Sequence, residues 1–188
     1  MANILDIFRT QTGKKLLERS REITELDVGT VQQAFIFTLP ALLTIYEKKE
    51  FTFNEQPKDL IKFIENENLV DFGKEKTELL LESSEKKIIL DFSQILEINK
   101  VNFEMILHIS AAVIAIIISE IRENKNAEAR DISKTLCGLD TKYNEDFVKV
   151  LIKNPDDANI IDSREEIALN KNWDDNDPSI LGGYAGGR

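Results

Sequence analysis

Histidine, cysteine and tryptophan each occur once in this 188-residue chain, as His108, Cys137 and Trp173. One cysteine excludes an internal disulfide framework and fits a reducing compartment. One histidine excludes a metal site built on a histidine pair and leaves a single imidazole as a candidate base. Only four prolines and eight glycines occur, and four of those glycines fall in the last seven residues. A Gly-rich phosphate loop between strand and helix is therefore absent. Basic charge is also short: 24 Lys and Arg against 34 Asp and Glu leave a net charge of −10. No basic patch is segregated along the chain, so a phosphate backbone would be repelled and a nucleic-acid partner is not expected. Alternating strand patterns are scarce as well. The N-terminus lacks a basic stretch followed by a continuous apolar run, so no secretory signal is read and a cytoplasmic location is expected.

The patterns that are present are helical. The chain is 42% hydrophobic and 31% charged, with Leu, Ile, Glu and Lys dominating its long segments, the balance of a globular all-α protein. Two apolar runs stand out, Ala34–Tyr46 and Met105–Ser119. Each is shorter than the roughly 20 residues that a membrane span needs, so both are expected to be central core helices.

These runs lie in a pseudo-repeat. Residues 12–46 and 84–118 align without gaps at an offset of 72, each reading as a short helix, a capped turn and a longer apolar helix. Only five of the 35 positions are identical, among them Glu25/Glu97. The turn is the more telling part. Asp27 and Asn99 are N-cap residues at aligned positions, flanked by Leu26 with Val31 and by Ile98 with Phe103 in the arrangement of a hydrophobic staple. Pro40 falls inside the first long helix, where its missing N–H should bend or break the helix near Ile36 to Pro40; Ala112 leaves the second straight.

Further helices are expected at 3–8, 57–66, 75–83, 127–136 (closed by Gly138) and 144–153, with Ser83 or Ser84 capping the second repeat. The expected domain spans 1–154. Residues 155–188 carry eight acids against three bases and end in glycines, the composition of a flexible acidic tail. Within it, Ser163 and Glu166 match a capping box, and Ile160, Ile161, Ile167, Leu169 and Trp173 are placed to dock a short helix on the core or on a partner.

Candidate chemistry is thin. His108 sits within an apolar helix, the setting of a hydrogen-bonded core histidine, and Cys137 beside Gly138 reads as a small packed side chain. The acidic string 174–177 fails as an EF-hand loop, because Ile180 stands where the turn requires glycine and no glutamate closes the loop. No catalytic residue, cofactor site or metal site is assigned. A helix-turn-helix DNA reader would present Phe35, Phe37 and Leu42, or Ile114 and Ile117, in place of base-reading polar side chains.

The opening ILDIFRTQTGKKLLERS, the capped turn at 26–31, the segment TLPALLTIY and the Ala/Ile-rich second hairpin together resemble the bacterial family of domains of unknown function that includes the YidB-like proteins. The resemblance covers about residues 3–140 and implies a compact helical domain without catalytic residues. This chain departs from that family's pattern in its few glycines before the tail and in lacking an Asp-Gly-Asp-Gly string. The leading functional expectation is a non-enzymatic module that binds a protein partner or itself, through the tail or a groove beside Pro40. An apolar hairpin that inserts into a membrane is the second, and an enzyme using His108 or Cys137 the last.

Overall fold

The computed structural model describes residues 2–49, 56, 58–123 and 127–152. Among them every regular element is helical, as the periodicity requires. An N-terminal 3-10 helix, Ile4–Arg9, is followed by α1 (Gln11–Thr24), α2 (Val28–Lys49), α3 (Leu60–Asn66), α4 (Leu69–Leu80), α5 (Ser83–Ile95), α6 (Lys100–Glu123), α7 (Ala129–Leu136) and α8 (Asn144–Leu151). The expected tail, including Ile160, Ile161, Ile167, Leu169 and Trp173, lies outside the described residues.

Short polar side chains set the helix starts. Asn3 accepts from the Leu5 N–H at 2.9 Å while its own N–H donates to Asp6 at 2.8 Å, and the Thr10 hydroxyl accepts from Gly13 at 3.1 Å. The two hairpin turns repeat one device. Each first helix ends at a glutamate in the left-handed region, Glu25 at φ 57° and Glu97 at φ 54°, two residues before the cap. Asp27 then accepts from Thr30 N–H at 2.9 Å, and Asn99 accepts from Val101 N–H at 2.8 Å. The turns also touch, since the Asn102 side-chain amide donates to the Thr24 carbonyl at 3.1 Å.

α2 and α6 form the centre. Where they meet, Thr38 and Ser110, aligned positions 72 residues apart, lie 2.7 Å apart hydroxyl to hydroxyl. Each helix thus brings a small side chain to the crossing, so the backbones come close without leaving a buried hydroxyl unpaired. From Ile106 to Ser119 every residue of α6 is buried, which is the pattern of a helix covered on all sides. α4 packs along α6, α8 lies on α6 and α7, and α7 lies on α2. α1 is held by the 3-10 helix and α3.

Four expectations need correction. α2 is continuous from Val28 to Lys49, so Pro40 removes one hydrogen bond without breaking the helix; the packed face on either side, Leu39, Leu42 and Leu43, holds it together. α4 starts at Leu69, six residues before the expected 75, because Asn68 caps it by accepting from Asp71 N–H. α5 is capped at Glu82 rather than Ser83 or Ser84, with Glu82 N–H donating to Glu85 at 2.9 Å. Finally, the two apolar runs extend into helices of 22 and 24 residues that, by length and composition, are long enough to cross a membrane; 78% of the apolar window of α6 is nevertheless buried inside the fold.

Candidate functional site

Two places carry the chemistry that the sequence singled out. The first is His108. It is 4% exposed on α6, where that helix meets α4, and its Nδ1 lies 3.1 Å from Thr77 Oγ1. Gly73 permits this approach, since a Cβ there would stand 1.7 Å from the His108 carbonyl oxygen. On its other side, His108 Nε2 is 3.7 Å from Glu104 Oε1, and Glu104 pairs with Lys86 at 2.6 Å.

Hydroxyl, imidazole and carboxylate in a row have the order of a nucleophile, base and orienting group. The hydrogen bonds run differently. The Thr77 hydroxyl donates to the Gly73 carbonyl at 2.8 Å, so its single hydrogen is committed and His108 Nδ1 must be the donor between them. Thr77 is also fully buried. Burial pushes the imidazole below its usual range, with Lys86 adding to the effect and Glu104 opposing it. The arrangement therefore keeps a neutral histidine as a polar tie between α4 and α6.

Cys137 caps α7 and is half-buried; burial raises its thiol, with Glu47 adding to the shift, so the thiolate is disfavoured. Among the described residues no group of three or more His, Cys, Asp or Glu side chains is arranged to hold a metal ion.

The second place is the surface shared by α2 and α5. Phe37 of α2 stacks on Phe92 of α5, ring centroids 4.1 Å apart, and Lys49 at the end of α2 reaches Glu85 at 2.6 Å and Glu82 at 3.5 Å. Pro40 falls between these two points along α2. It is half-buried, on the side of the helix that also carries the half-buried Phe37 and the exposed Thr44. Next to this face, α5 exposes Ile88 and Ile95, at 63% and 72%, and α6 opens with Val101 at 64%.

Sequence periodicity alone gives no hint of that exposure. Ile88 and Leu16 occupy the same place in the aligned repeats, yet Leu16 is fully buried. The surroundings of the two helices differ in the short helix that succeeds each long one. α3 returns to α1, tied by the Lys15–Glu65 ion pair, whereas α7 packs on α2 and α6 and leaves the outer side of α5 bare. A further cluster that periodicity does not disclose joins Phe63 and Phe72 edge to face at 5.0 Å, with Lys76 4.8 Å above Phe72 and Lys58 5.7 Å from it.

Comparison with known proteins adds no relative: no protein-family model, no curated protein and no solved structure matches this chain.

Proposed function

We propose that this chain is a non-enzymatic helical module that works by binding another protein or a further copy of itself. The observation that carries the reading is the exposed apolar stripe Ile88 and Ile95 beside the half-buried Pro40 face. Single exposed apolar residues are ordinary; two on one face of a helix whose repeat counterpart is covered call for an occupant. The helical resemblance to the YidB-like family fits, because the shared motifs are packing motifs. On this reading the contacts are Pro40 and its neighbours on α2, the stripe of α5, and the tail residues Ile160, Ile161, Ile167, Leu169 and Trp173.

Site-specific photo-crosslinking in cells tests it. A crosslinker at Ile95 or Thr44 is expected to yield a discrete adduct of defined mass, and one at Glu18, exposed on α1, is expected to yield none. Adducts that are absent from all three positions, or equal at all three, would remove the reading.

A second reading has its own observation. α2 and α6 are adjacent helices with mean hydropathy 1.5 and 2.1 over spanning windows, so a hairpin that leaves the fold and inserts into a bilayer is physically available. The net charge of −10 opposes binding to anionic lipid. Flotation with neutral and anionic vesicles separates the two: a protein that stays with the soluble fraction in both disposes of insertion.

A further inference from the structure

We infer that the bare side of α5 is a docking site for the chain's own C-terminal segment, residues 160–173. This goes beyond the proposed function: the segment covers the stripe in the free protein, and a partner that docks there displaces it.

The repeat shows what this side of the hairpin normally meets. In the first copy, Leu16 is fully buried where α1 is held by the 3-10 helix and α3, short elements of the same chain. In the second, the corresponding Ile88 is 63% exposed, and α7, the short helix that comes after α6 as α3 comes after α2, packs on α2 and α6 rather than on α5.

Size argues against a second copy as the resting occupant of the α5 face alone. α5 has 13 residues, so it is about 20 Å long and about 10 Å across. Two such faces meeting about a two-fold axis would cover on the order of 200 Å² each, well below the ~800 Å² per partner of a standard stable interface. A tethered segment does not face that threshold, since a short linker supplies a local concentration of roughly millimolar.

The segment reaches. The last described residues are anchored by the Thr12 hydroxyl, which donates to the Leu151 carbonyl at 2.8 Å, so the chain departs beside the start of α1. From Ile152, the stretch to Ile160 spans up to about 27 Å and that to Trp173 up to about 70 Å, against a radius of gyration of about 15 Å for a domain of this size. The segment also carries what the stripe lacks. In its sequence Ser163 and Glu166 match a capping box, and Leu169 and Trp173 are four residues apart, the spacing of one helix face. Lys87 beside Ile88 and Lys100 beside Val101 are exposed and opposite in sign to Asp162, Glu165 and Glu166 of the segment; Asp91 and Glu97 are also exposed on this surface, so apolar burial rather than charge would hold the contact.

Trp173 is the only tryptophan, so its fluorescence reports the segment directly in the full-length protein. The expected result is an emission maximum to the blue of that in urea, independent of protein concentration. The double variant Ile88→Asp, Ile95→Asp should return it to the urea value with the far-ultraviolet circular dichroism unchanged, since both side chains are already exposed. Leu169→Asp should do the same without touching α5. Emission at the urea value in the unaltered protein overturns the inference. So does a blue shift that survives Ile88→Asp, Ile95→Asp, which places the segment elsewhere, and one that disappears on dilution, which assigns the contact to a second copy.

Discussion

Gly73→Ala should unfold this protein more easily, although alanine is the better helix former. In an exposed helix interior the change would stabilise by about 1 kcal/mol. Gly73 is not exposed. Its missing Cβ would lie 1.7 Å from the carbonyl oxygen of His108 and 2.4 Å from the carbonyl carbon, both backbone atoms of the most deeply buried helix. Relief therefore requires α4 to move off α6 by more than an ångström. A radial gap of that kind forfeits about half of the dispersion contacts along the helix. Leu69 and Leu80, each buried on α4, would lose part of the ~2 kcal/mol that full burial contributes, and the Thr77–His108 hydrogen bond, worth about 1 kcal/mol, would stretch. The sum is a loss of about 3–5 kcal/mol, reduced to about 2–4 by the propensity gain. Urea unfolding followed by circular dichroism measures it. Gly29→Ala is the control: its nearest neighbour is the Asp27 side chain at 3.2 Å, so its stability should change by less than about 1 kcal/mol. A Gly73→Ala protein as stable as the unaltered chain would refute the close contact between α4 and α6.

The same geometry sets three more outcomes. Glu25→Gly and Glu97→Gly should each stabilise by about 0.5–1 kcal/mol in urea unfolding, because both side chains are exposed and both backbones sit in the left-handed region that disfavours a Cβ; a loss at either position would mean the glutamate has a role beyond the turn. In a double-mutant cycle, Thr38→Val and Ser110→Ala should show a coupling of about 0.5–1.5 kcal/mol, since the two hydroxyls have one hydrogen each for three contacts, to the Ala34 carbonyl, to the Ile106 carbonyl and to each other, so that one bonds across the crossing while the other bonds its own helix; additive effects would rule that contact out. Because burial holds His108 below its ordinary value, the unfolded chain binds a proton first as pH falls. Stability should therefore drop as pH is lowered through about 6.5, with Lys86 and Lys74 opposing protonation and Glu104 and Glu78 favouring it. His108→Asn should flatten the unfolding midpoint between about pH 7.5 and 5, above the range where carboxylates titrate, and an unchanged slope would show that His108 is solvated.

Much of the fold is legible in local chemistry. Asp27 and Asn99 announce their turns because a short polar side chain before an apolar run satisfies N–H groups the helix cannot. The helical nature of 34–46 and 105–119 comes from apolar composition with no room for alternation. Of the bend or break expected at Pro40 the break does not occur: losing one hydrogen bond is a local penalty, and tertiary burial of Leu39, Leu42 and Leu43 outweighs it. The cap at Glu82 is hidden because the serines after it are better intrinsic caps, and only the position of α4 and Lys49 fixes where α5 begins.

Sequence alone determined that this chain is helical, that its two longest helices form the core, and that a hairpin with the same turn occurs twice. Those properties reside in residues a few positions apart, where periodicity and capping act. Tertiary structure decided which faces are covered. Leu16 and Ile88 carry the same pattern and meet opposite fates, because an apolar side chain states that it should be buried but not which distant segment will bury it. The neutral state of His108 was decided there too, first by its burial where Gly73 lets α4 close on α6 and then by Lys86, residues that the sequence sets apart from it and the fold brings to the same crossing.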